Sequence, residues 1–66
     1  MKLKVEVYMI VNDRPKTIDT KWVDMDREES IEDCIKKGGR VFERFVEENP
    51  RIVKDLLGVK STLVIW

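Results

Sequence analysis

The chain has 66 residues, and its 13 basic and 13 acidic side chains give a formal net charge of zero. A chain this short makes a single small domain, residues 1–66, which buries only about 60% of the surface exposed when it is unfolded. It contains no histidine, which excludes an imidazole base and the usual zinc ligand sets. We therefore expect a protein that is not an enzyme and that uses no cofactor and no metal.

Residue usage also bears on the cellular setting. Cys34 is the only cysteine, so an internal disulfide cannot form, and a reducing cytoplasm is the expected location. There is no apolar run of about 18 residues that would cross a membrane. Amide side chains are scarce while lysine, arginine and glutamate are abundant, which is typical of proteins from hyperthermophiles.

The N-terminal third predicts a β-hairpin. Residues 2–12 alternate between polar and apolar side chains, the pattern of a half-buried strand whose odd-numbered residues face the core. A turn over 12–16, rich in Asn, Asp and Pro, separates it from a second strand over 17–25. The short connection makes the two strands antiparallel neighbours.

A long helix is predicted over residues 31–48. Ser30 is a favourable N-cap, and Asp33 stands where a capping box places its acidic residue. The apolar residues of this segment fall within an arc of about 160° on a helical wheel. Gly38 lies near the centre of that arc and Gly39 at its edge, so the helix is expected to continue through both glycines. Close approach to the sheet at Gly38, over the ring of Trp22, would explain the missing side chain.

The C-terminal part predicts a short second helix and a third strand. Asn49 and Pro50 end the long helix and are suited to start another, which Gly58 would end. Residues 59–66 are typical of a strand in which, if its register matches strand one, Leu63 and Ile65 point inward while Val64 and Trp66 lie on the opposite face. The fold class is then α+β, in the order β-β-α-α-β, with a three-stranded antiparallel sheet. A right-handed crossover gives the strand order 2-1-3, with one long and one short helix on one face.

This layout leaves one face of the sheet without helices, and that face is the expected site of function. Tyr and Trp on exposed apolar patches are frequent in protein interfaces. We therefore predict a small interaction module that binds a protein partner or itself, as a homodimer. It would use the helix-free face or the edge strand 59–66. An alternative is that Trp66 folds over the sheet edge and completes the core. The expected partner-binding residues are Tyr8, Ile10, Val64 and Trp66.

Single-stranded nucleic acid is the alternative ligand for the same face. Aromatic rings stack on bases, and nearby lysines bind phosphates. The zero net charge argues against this ligand, and no RNA-binding aromatic signature is present. The residues that would serve are Lys2, Lys4, Tyr8, Lys60 and Trp66.

Three other chemistries are disfavoured. The segment 36–40, KKGGR, would bind an anion only if a helix began there, and the unbroken apolar arc indicates otherwise. The acidic segment 24–29 opens like a calcium-binding loop but lacks its glycine and its final glutamate. Cys34 lies within the apolar arc and is expected to be a small core residue rather than a nucleophile.

Overall fold

Three strands and one helix make up the fold. A computed structural model describes residues 1–65 of the chain. The strands are β1 (Lys2–Val11), β2 (Arg14–Asp24) and β3 (Leu57–Val64), and the helix is α1 (Ile31–Glu48). All pairings are antiparallel and the strand order is β2-β1-β3, as predicted. The α+β class is confirmed.

A two-residue turn closes the β1–β2 hairpin. Asn12 and Asp13 both have positive φ angles, 53° and 63°. The tight turns that match the twist of a hairpin require two such residues, and Asn and Asp are among the few side chains that tolerate them. The turn is therefore shorter than predicted, and β2 begins at Arg14. Pro15 lies inside β2, where an edge strand can accommodate a missing amide.

The core lies between β1 and α1. Leu3, Val5 and Val7 are almost completely buried, which confirms that the odd-numbered residues of β1 face inward. Met25, just after β2, is also buried, and its amide donates to the Met1 carbonyl oxygen at 3.1 Å. Residues that are partly buried against this cluster complete it: Met1, Val23, Cys34 and Val41.

Helix α1 passes through both glycines without a break, and its start is fixed as the sequence predicts. The Ser30 hydroxyl accepts from the Asp33 amide at 3.3 Å, and the Ser30 amide donates to the Asp33 carboxylate at 2.9 Å. These reciprocal bonds form the predicted capping box.

The helix packs on a different part of the sheet from the one predicted. A Cβ atom at Gly38 would overlap the Ser61 hydroxyl, so Gly38 allows α1 to lie directly on β3 rather than on Trp22. Nothing lies within 4 Å of a Cβ atom at Gly39, so the two glycines have different surroundings.

The predicted second helix is only partly matched. Its place is taken by turns and by a single 3₁₀ turn at Lys54–Leu56. Asn49 ends α1 instead of starting a helix, because its side-chain amide and its backbone amide both donate to the Phe45 carbonyl oxygen. A helix of one or two turns needs packing to persist, whereas Val53 and Leu56 are largely exposed. Gly58, predicted to end this helix, lies within β3.

Candidate interaction surface

The helix-free face of the sheet carries the even-numbered residues of β1, as expected. Tyr8 and Ile10 lie on this face, and so does Val64, which pairs with Lys2. Tyr8 pairs with Gly58, six residues along β1 from Lys2, a separation of about 20 Å at the strand rise. The predicted residues therefore share a face, but Val64 does not adjoin Tyr8 and Ile10. Trp66 lies outside the described residues.

Tyr8 makes a specific cross-strand contact on this face. A Cβ atom at Gly58 would overlap the Tyr8 ring, so the ring lies over the backbone of β3. Gly58 thus serves close packing within the sheet. An aromatic ring across from a strand glycine covers backbone that would otherwise be exposed, and Tyr8 is accordingly only half exposed.

The lysines of the same face are matched by acids. The Lys2 ammonium lies 3.0 Å from the Asp24 carboxylate, and that of Lys4 lies 3.7 Å from Glu6. Lys60 pairs across the sheet with Glu6. The two ion pairs reduce the free positive charge of Lys2 and Lys4 that phosphate binding would require.

Trp22 belongs to this face, which the sequence did not indicate. It pairs with Lys4, whose ammonium lies 5.8 Å from the centre of the ring, and it is 53% exposed. The cause is a register shift between Val7 and Tyr8, where Ile18 is an extra residue in β2. Such a bulge reverses which residues of a strand face each side, so Trp22 points away from the helix.

The two edges of the sheet differ in polarity. Between α1 and β2 runs a groove with an apolar floor that includes Val23, Val41 and Phe45. Charged side chains, mostly cations, rim the groove. They are Asp19, Lys21, Lys37, Arg40, Arg44 and Glu48.

The edge formed by β3 is almost without charge. Lys60 is the single charged residue of Leu57–Val64. Leu63, on the helix side of the strand, is 42% exposed, and the following Ile65 is 72% exposed.

Helix α1 continues this apolar surface. On the helical wheel, the residues that line the groove beside β2 lie on one side of Gly38. The opposite flank, which faces the β3 edge, carries Ile35, Gly39, Phe42 and Val46. Ile31, at the helix start, is 80% exposed and Ile35 is 67% exposed. The exposed apolar residues on this side are Ile31 and Ile35 of the helix, and Val59, Leu63 and Ile65 of the β3 edge.

The apolar arc of α1 assigned Ile31 and Ile35 to the core, whereas both are exposed. The apolar arc of α1, about 160° wide, is broader than the stripe of about 100° that faces a core. Only part of such an arc can be buried against three strands. The extra width of the arc was the feature of the sequence that could have indicated exposed apolar residues on the helix.

Ionic contacts hold the start of α1 against the end of β2. The Lys37 ammonium lies 2.8 Å from a carboxylate oxygen of Glu29 and donates to the Asp24 carbonyl oxygen at 3.1 Å. The hydrogen bond from Lys37 is the main cause that lowers the pKa of Glu29 below its usual value, and the Asp26 amide adds to it. Hydrogen bonds from the backbone and hydroxyl of Ser30 lower the pKa of Asp33 in the same direction.

The structure also bears on anion binding at segment 36–40 and on cation binding at segment 24–29, which the sequence disfavours. Segment 36–40 lies inside α1, so it does not offer the free amides of a helix start. In segment 24–29, Glu29 is engaged by Lys37. Across residues 1–65 there is no group of three or more His, Cys, Asp or Glu arranged to hold a metal ion.

Comparisons with protein-family models, with curated proteins and with solved structures each gave no significant match. Within residues 1–65, α1 does not have the length and apolar character needed to span a bilayer.

Proposed function

We propose that this chain is a small, non-enzymatic interaction module that binds protein, either another copy of itself or a different chain, along strand β3. The observation that carries this proposal is the unprotected character of that edge. β3 offers a row of backbone groups with one lysine and no proline or bulge, next to exposed apolar side chains of the helix. Proteins normally cover or blunt such an edge, because it is a template for strand addition.

The helix-free face is less suited to be the principal contact. Lys2 and Lys4 are paired with acids, and Tyr8 is already packed on Gly58. Ile10 is 41% exposed near the end of β1, which is the central strand and not an edge. Val64 lies in β3 itself and would be covered by an added strand.

Site-specific photo-crosslinking in the cells that naturally produce the chain tests this function. A photoreactive residue replaces Leu63 on the β3 edge in one variant, and Lys21 on β2 in the control. We expect crosslinks to one protein, of either identity, from position 63 and none from position 21. Adding Ile65→Lys should abolish them, because the charge would have to be desolvated in the contact. Equal crosslinking from both positions, or none from position 63, would overturn the proposed function.

A further inference from the structure

We infer that the occupant of the β3 edge is a second copy of the chain, joined about a two-fold axis that passes beside Ser61 of β3 and Gly39 of α1. This inference rests on the proposed function and names the partner. The assembly would be a continuous six-stranded antiparallel sheet, in the order β2-β1-β3-β3-β1-β2, with both copies of α1 on one face.

The side chains of β3 are self-complementary in one register. Two antiparallel copies centred on Ser61 pair residues 58–64 of each strand. On the helix side this sets Leu63 opposite Val59 of the second copy, and Ile65 opposite Leu57. On the open side it sets Lys60 opposite Thr62. Apolar residues thus meet apolar residues, and the only charge of the strand meets a hydroxyl.

Pairing two β3 strands about a residue next to Ser61 is less favourable than pairing them about Ser61. Centring the pair on Lys60 would set the two ammonium groups directly opposite each other, which is destabilising in a sheet. Centring it on Thr62 shortens the overlap to residues 60–64. Ser61 is therefore the centre that keeps a long ladder without opposing like charges.

The helix independently points to the same axis. Gly38 lies on Ser61, so the middle of α1 lies above the middle of the proposed ladder. Strands are spaced about 4.8 Å apart, so a helix above β1 and β3 lies about 5 Å from the axis and about 10 Å from its copy. Packed helices are separated by 8–10 Å. The two copies of α1 would therefore be in contact.

Gly39 has no steric reason to be glycine within one chain. A Cβ atom there would have nothing within 4 Å, yet glycine within a helix costs about 1 kcal/mol relative to alanine. Gly39 lies at the midpoint of α1, on the flank toward β3. Two helices related by the proposed axis cross at this midpoint, where an absent side chain permits close approach. The crossing would place Ile35 of one copy near Phe42 of the other and cover both.

The same arrangement leaves the protected edges outside. Each β2, with its bulge, Pro15 and charged residues, becomes an outer edge of the six-stranded sheet. Both β3 edges are consumed by the pairing, so the assembly closes as a dimer and offers no further β3 edge for growth.

The first test measures solution mass, by light scattering at several concentrations, for the whole chain. We expect twice the monomer mass of 7.8 kDa. Gly39→Gln should weaken dimerisation about tenfold or more, because the side chain blocks the helix crossing. The monomer should fold normally, since position 39 has open space. Arg40→Gln, which introduces the same side chain on the outer face, should leave the dimer intact.

The second test fixes the register by disulfide crosslinking in a Cys34→Ala background. Lys60→Cys and Thr62→Cys are made in separate chains and then mixed under mild oxidation. Because residue 60 faces residue 62 of the other copy, a disulfide should form in the mixture and not within either variant alone. A crosslink from Lys60→Cys alone would instead place the axis at residue 60 and overturn the proposed register.

If the chain is a monomer at all concentrations, the inference that a second copy binds the β3 edge is wrong. If photo-crosslinking at position 63 then still captured one different protein, the proposed function would stand and only the identity of the partner would be wrong. If position 63 captured nothing, both would be wrong. A dimer that is unaffected by Gly39→Gln would also overturn the proposed axis.

Discussion

Strands β2 and β3 both pair with β1, but they present different surfaces to a neighbouring chain. β2 has a proline, a bulge and several charged side chains, and a groove rimmed mostly by cations runs beside it. β3 is regular, has one lysine and lies next to exposed isoleucines of α1. Natural sheets protect their edges with the features that β2 has. Of the two edges, only that of β2 combines a proline, a bulge and several charges.

The helix is also held differently on its two sides. Toward β2, the start of α1 is held by Lys37 through Glu29 and the Asp24 carbonyl oxygen. Toward β3, the contact is steric and depends on the close fit of Gly38 on Ser61. Substitutions on the two sides of the helix and sheet should therefore differ in their effect on stability, measured on monomer at low concentration.

Gly38→Leu should have the largest effect. The new side chain would overlap Ser61 and lift α1 from β3, which should lower the free energy of unfolding by about 1–3 kcal/mol. Chemical denaturation followed by circular dichroism measures this change. Gly39→Ala is the control, because its Cβ atom meets open space. It should leave stability unchanged or raise it by up to about 1 kcal/mol. Equal losses in both variants would contradict the close fit at Gly38.

Ser30→Ala should lower stability by about 1 kcal/mol through loss of the helix cap. The same region predicts a pH dependence. Asp33 and Glu29 have lowered pKa values in the fold, so the stability they contribute is present above the ordinary carboxyl pKa of about 4. It is lost as the pH falls through their lower, folded values.

Denaturation at neutral and strongly acidic pH measures this dependence. The loss of stability on acidification should be somewhat smaller in Ser30→Ala than in the wild type, because the substitution removes the hydroxyl hydrogen bond that helps the residue 30 amide to lower the pKa of Asp33. An identical acid loss in the two proteins would show that the cap does not contribute to it.

Gly58→Ala should cost about 0.5–1 kcal/mol, because the methyl group displaces the Tyr8 ring from the backbone of β3. In a Tyr8→Ala background the same change should be neutral or slightly stabilising. Thermal unfolding of the four proteins in this double-mutant cycle gives the coupling. A coupling near zero would mean that the ring does not pack on Gly58 in solution.

Trp22→Ala should have the smallest effect on stability, about 0.5 kcal/mol, since it removes a half-exposed ring and its contact with the Lys4 ammonium. Dimer mass should not change, because Trp22 lies on β2. A large loss of stability would instead indicate that Trp22 belongs to the core, as the sequence first suggested.

Much of the fold was predictable, because the local patterns were strong. The alternation from Leu3 to Val7 defined the central strand and its buried face. Ser30 and Asp33 marked the start of the helix, and the uninterrupted apolar phase carried it through Gly38 and Gly39. The predictions failed where a local preference for helix competed with strand pairing between residues far apart in the chain. Residues 50–57 had the start and stop signals of a helix, but Leu57 and Gly58 pair with Met9 and Tyr8 instead.

The candidate surface was predicted less well than the fold. The β3 edge was named, but Ile31, Ile35 and Leu63 were expected inside, and Trp22 was expected beneath the helix. A helical wheel shows which residues share a side, not how much of that side a three-stranded sheet can cover. A bulge near Ile18 is likewise invisible in an alternating pattern, although it decides the direction of every later side chain in β2.

Local patterns were enough to predict the three strands and the capped helix, because spacing, turn residues and caps act over a few neighbouring positions. The strand order followed from the handedness of the crossover. The packing of α1 on β3 and the different environments of the two glycines became known from the structure alone. The position of α1 on the sheet depends on contacts between residues far apart in the chain, such as Gly38 and Ser61. Those contacts leave one apolar edge uncovered, and that edge is where we place the second copy.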